Sequence, residues 1–105
     1  MKKKSLFEVC MYDFVNVFGE DKDVARDLRQ QHLVPQLEKG KHIVIDFKGV
    51  EDVTQSFVHA LISEIIRSKS PAILDKMEFR SCNTKVQTMI GIVVEYTQDN
   101  MVLTK

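Results

Sequence analysis

Hydrophobic positions alternate from Leu6 to Met11: Phe7, Val9 and Met11 share one parity, and Leu6, Glu8 and Cys10 the other. That is the pattern of a half-buried strand. Asp13 and Asn16 mark a turn, and a short second strand is expected at Val15 to Phe18, ended by Gly19. A helix should then run from Glu20 or Asp21 to Lys39, with the acids Glu20, Asp21 and Asp23 in its first turn and Gly40 as its C-terminal cap. Pro35 removes one of its hydrogen bonds at a cost of about 3 kcal/mol. A kink, or a break into two pieces near Leu33, is therefore expected. The apolar stripes agree, since Val24, Ala25 and Leu28 are rotated round the axis from Leu33, Val34 and Leu37.

His42 to Phe47 carries Ile43, Val44, Ile45 and Phe47 around a single acid, Asp46, and continuous apolar runs of this kind mark central strands covered on both faces. Lys48 to Val53 is the connection, turned at Gly49. The second helix spans Thr54 or Gln55 to Ser68 and places Phe57, Val58, Leu61, Ile62, Ile65 and Ile66 on a broad band. The opposite ridge, Ser56, His59, Ser63 and Arg67, is expected to face water or a partner. After a breaker at Ser68 to Pro71 and a short helical piece at Ala72 to Asp75, Met77 to Cys82 alternates like a strand near an edge. Asn83 caps a third helix with a stripe of Val86, Met89, Ile90, Val93 and Val94. Gln98 to Asn100 is expected to turn, leaving Met101 to Leu103 as a last strand or an ordered tail. Strands alternating with helices give an α/β domain with a mostly parallel sheet and three main helices.

At 105 residues the chain is expected to form a single domain over 1–105. Its 44% hydrophobic and 29% charged residues fit a globular core rather than a disordered chain. Fifteen basic residues balance fifteen acidic ones, so no long-range field favours nucleic acid or an anionic membrane. The one basic run, Lys2-Lys3-Lys4, is a solubilising tail. Glu8 and Asp13 interrupt any apolar stretch that could serve as a signal-peptide core. No segment approaches the ~20 apolar residues that span a bilayer, and the expected location is cytoplasmic. Cys10 and Cys82 have no metal or redox spacing and are expected to be small core hydrophobes in a reducing compartment.

Candidate chemistry is sparse. His32, His42 and His59 stand on different elements without a second ligand three or four residues away, so no metal or other cofactor is expected. Phosphate-loop and dinucleotide fingerprints are absent. Asp46, Glu51 and Asp52 bracket the central loop, but exposed carboxylates lack the burial that sets acid and base apart. Ser56 with His59 has no third orienting group, which argues against a nucleophile and against an enzyme. What Ser56 does offer is a hydroxyl at a helix start, where negative charge is favoured by unpaired amides and the helix dipole. Thr54 competes with it for the capping role.

An acid- and arginine-rich helix at Asp23 to Arg29 is followed by Asp46-Phe47 ending a strand, Gly49-Val50, and Ser56-Phe57 at a helix start. On these motifs the segment from Phe18 to Val94 resembles the STAS domain, named for sulfate transporters and anti-sigma-factor antagonists, and most of all a STAS-like family of uncharacterised function. The resemblance implies a small mixed, mostly parallel STAS-like sheet. Ser56 falls where the antagonists carry a serine phosphorylated by a kinase that is also the anti-sigma factor. Where they have Asp-Ser-Ser-Gly, this chain has Thr54-Gln55-Ser56-Phe57. The expectation is a non-enzymatic regulatory module with Ser56 as phospho-acceptor. It would dock a kinase-like, ATP-binding protein through Thr54, Gln55, Ser56, His59, Ser63 and Arg67. The alternative is a small-ligand or nucleotide sensor holding an anion at the same helix start. The edge strand at 77–82 or the N-terminal strand offers a pairing edge for a homodimer.

Overall fold

The computed structural model describes residues 5–69 and 71–103, so the lysine run at 2–4 lies outside them. The first half of the chain forms β1 (Leu6–Cys10), α1 (Tyr12–Val15), β2 (Phe18–Gly19), α2 (Lys22–Leu28), a π turn (Arg29–Leu33), α3 (Val34–Glu38) and β3 (His42–Asp46). There follow β4 (Asp52–Val53), α4 (Gln55–Val58), a second π turn (His59–Ser63), α5 (Glu64–Lys69), a 3-10 turn (Pro71–Lys76), β5 (Met77–Arg80) and α6 (Thr84–Leu103). Strands β1, β3 and β5 form a parallel sheet in that order, and β2 pairs in parallel with β4. The α/β class, the central place of β3 and the edge position of β5 are as the pattern predicts.

Register decides what each sheet face does. Phe7 and Val9 stand beside Ile43 and Ile45, which stand beside Met77 and Phe79, and this face carries the core with the helices. The other face lies open, with Leu6, Glu8, Cys10, Glu78 and Arg80 exposed. The flanking strands expose this face, yet β3 itself is buried on both of its faces, as the apolar run predicts. Val44 is its buried residue on the open side. Arg80 of β5 reaches Glu8 of β1 at 3.7 Å, and because the two strands flank β3 the ion pair must pass over the central strand. Cys10 is exposed rather than a core residue, since its parity puts it on this face. Cys82 is half-buried, and burial, followed by the charge of Asp46, pushes its thiol pKa up.

The two long helical courses differ from the expectation in one shared way. Neither breaks; each contains a π turn, which accommodates one extra residue. In the first, Leu28 and Leu33 are five apart, and the π turn returns the second stripe to the side of the first, so Ala25, Leu28, Leu33 and Leu37 are all buried. Pro35 sits at the start of α3, just after the widened turn that relieves its clash with the preceding carbonyls. In the second, apolar pairs recur every four residues, a spacing that drifts about 40° per step on a 3.6-residue helix. The π turn at His59–Ser63 takes up that drift.

The two π turns are tied together, because Arg29 Nη1 donates a hydrogen bond to the Ala60 carbonyl. Replacing the guanidinium in Arg29→Met is expected to cost about 1.5–3 kcal/mol, the usual scale for a hydrogen bond to a charged group. Urea unfolding measures it, and a loss below about 0.5 kcal/mol would show the tie to be incidental.

Further differences are local. The stretch at 12–15 is a turn of helix, and β2 is shifted to Phe18–Gly19 to reach β4, which forms within the predicted connection. Asn83 Oδ1 accepts from Val86 N at 2.9 Å, the expected cap. The helix it starts does not turn at 98–100: α6 continues to Leu103, so 101–103 is neither strand nor extended tail. Thr97 extends its buried stripe, and its hydroxyl needs a partner across the helix interface. Among the described residues, no helix is long and apolar enough to cross a membrane.

Candidate functional site

The site is built by the connection between β3 and α4. Asp46 Oδ1 accepts from Lys48 N at 2.9 Å, Val50 N donates to the Phe47 carbonyl, and Gly49 turns the chain at φ +91°, a conformation that favours glycine. Glu51 N then donates to the Val17 carbonyl and Thr54 N to the Gly19 carbonyl, at 2.8 and 2.9 Å, so β2 holds the connection to the last residue before the helix. Gly19 packs closely there: a Cβ would stand 3.1 Å from Val53 Cγ1 and 3.3 Å from the Phe57 ring, so both side chains would have to give by a few tenths of an ångström.

Thr54 is the helix cap. Its backbone is extended and its Oγ1 accepts from Phe57 N at 3.1 Å. Ser56 is therefore released from that duty: it lies exposed inside the first turn, where amides still lack helical partners. Gln55, Ser56, His59 and Ala60 share an open depression of about 410 Å³ with Lys22, the first residue of α2. Asp21 caps α2 by accepting from Asp23 N at 2.9 Å. Two helix starts and one ammonium thus border the same hollow, an arrangement that favours negative charge. Lys22 had no signal in the sequence, because only the packing of α2 beside α4 places it here.

Ser63 departs from the expected ridge. It is fully buried and accepts a hydrogen bond from Thr97 Oγ1 of α6 at 3.2 Å. The ridge was drawn on a 3.6-residue wheel; Ser63 ends the π turn, where the added residue swings it by on the order of 100° toward α6. Arg67 is exposed on α5, 3.9 Å from Glu64 Oε2, and does not line the hollow. The structure therefore brings together Gln55, Ser56 and His59, uses Thr54 as a cap, buries Ser63 and leaves Arg67 apart. Among the described residues, no three of His, Cys, Asp and Glu gather as metal ligands would.

A family model described as a STAS-like domain of unknown function matches residues 24–87, which run from the third residue of α2 through the start of α6. No curated protein and no solved structure matches the chain. The matched span holds β3, the connection, the helix of Ser56 and β5, and the fold has the parallel α/β arrangement that the family name implies. The chain belongs to the family of STAS-like domains of unknown function.

Proposed function

We propose that this chain is a non-enzymatic regulatory module that docks a kinase-like, ATP-binding protein through Thr54, Gln55, Ser56 and His59, with Ser56 as phospho-acceptor. One observation carries the reading: Thr54 caps the helix, so the Ser56 hydroxyl is exposed and holds no hydrogen bond among the described residues that modification would disrupt. Phosphate on Ser56 would add about −1.5 to −2 charges beside Lys22 and two helix starts, which stabilise it locally while inverting the sign of the surface a partner meets. Arg67, exposed beyond the π turn and outside the hollow, is left out of this contact.

Incubation with a kinase-like protein and ATP, followed by mass spectrometry, is expected to place one phosphate on Ser56 and none on Ser63. Phosphate confined to other segments, or absent, would remove the switch. The hollow beside Lys22 favours a second reading, in which a free anion or nucleotide occupies it. In a thermal-shift series this would raise the melting temperature with inorganic phosphate or nucleotide alone, corresponding to about 2.7 kcal/mol at 100 times the dissociation constant.

A further inference from the structure

Four large apolar side chains within seven consecutive residues, Tyr12, Phe14, Val17 and Phe18, are each 41–48% exposed. Exposed apolar groups concentrated in this way mark interaction surfaces more often than isolated ones do. They are held in place: Tyr12 lies against Gly49, Phe14 meets the His32 ring at 5.9 Å between centroids, and Val17 and Phe18 are pinned by hydrogen bonds and pairing to Glu51 and Asp52. Beside Phe14 is a hollow of about 200 Å³, also lined by Val24, Leu28 and Asp27, of a size to take one partner side chain.

Charge decides what the surface fits. On the flanking stretches 12–23 and 48–52 there are six carboxylates and two lysines. Asp13, Glu20, Asp21 and Glu51 are exposed and have no ion-pair partner among the described residues. In a chain of zero net charge, this end is locally acidic. A second copy on the same face would set carboxylate against carboxylate, and an anionic lipid surface would be repelled in the same way.

We infer that the Tyr12–Phe18 face binds a basic amphipathic protein segment, seating an apolar anchor in the hollow beside Phe14 and setting lysines or arginines against the surrounding carboxylates. The apolar anchors of this interface lie outside the Ser56 hollow, although Lys22 borders both, and its test uses the unphosphorylated chain.

The test uses the full chain and two fluorescent helical peptides with the same leucine face, one flanked by lysines and one by glutamates, read by anisotropy. The lysine peptide is expected to bind at least about tenfold more tightly, with the preference shrinking as salt rises. Glu20→Lys with Glu51→Lys, two exposed changes that spare the core, should weaken it about tenfold. Val17→Ser with Phe18→Ser should weaken both peptides. Equal binding of the two peptides, or unchanged affinity in the charge-reversed variant, overturns the inference. A dimer in sedimentation that the Val17 and Phe18 changes dissolve would overturn it too, by assigning the face to a second copy.

Discussion

Ser63→Glu is expected to remove a large part of the domain's stability, while Ser56→Glu, earlier on the same helical course, leaves it unchanged. Ser63 is fully buried, and its one described partner is the Thr97 hydroxyl at 3.2 Å. A carboxylate there is an unpaired buried charge and an overfilled interface at once, a combination that costs on the order of 4 kcal/mol or more. Domains of this size hold about 5–15 kcal/mol in all. Protonating the glutamate removes its charge but not its volume. Ser63→Ala isolates the hydrogen bond and should cost about 1 kcal/mol. Ser56→Glu should fall within about 0.5 kcal/mol of the parent, because the site is exposed and the helix start favours an acid. Urea unfolding of the three variants by circular dichroism separates the cases. A Ser63→Glu protein as stable as the parent would mean that the side chain reaches water and that the helix lacks its π turn in solution.

Phe57→Ala should lose about 3–5 kcal/mol, the range for deleting a buried aromatic ring. The ring is fully buried, and Gly19 approaches it so closely that even a Cβ on that glycine would stand 3.3 Å away. It joins the β2–β4 ladder to the helix of Ser56, so its loss should also raise amide exchange at Asp52, Val53 and Thr54 before the rest of the sheet opens. Phe57→Leu, which keeps much of the volume, should recover most of the stability. Uniform exchange across the sheet would show that Phe57 supports the core alone and not the site. The Ser56-Phe57 pair that carries the family likeness thus divides its work: the phenylalanine holds the connection, and the serine is left exposed.

The candidate site was half legible. Thr54, Gln55, Ser56 and His59 follow one another along a helix start, and local spacing alone groups them. Arg67 is exposed but lies outside the hollow, and Lys22 belongs to the hollow although no spacing connects it with Ser56. The π turns left a trace that a 3.6-residue wheel hides: the four-residue repeat from Phe57 to Ile66, and the five-residue step from Leu28 to Leu33. The turn placed at 98–100 failed because the polar residues there lie on a helix already committed by the stripe from Val86 to Thr97. Tertiary contact outweighs weak local turn preference in such a case.

The sequence by itself determined the alternation of the three main strands with the helical courses, the central place of β3 and the apolar band of the second long helix. These rest on periodicity and burial, which are written residue by residue. Only the tertiary structure decided that one sheet face stays open, that Ser63 turns inward to meet Thr97, that Lys22 borders the Ser56 hollow, and that Tyr12, Phe14, Val17 and Phe18 stay exposed. Each depends on the phase of a helix or the approach of segments distant in the chain, and a one-residue π insertion is enough to change that phase.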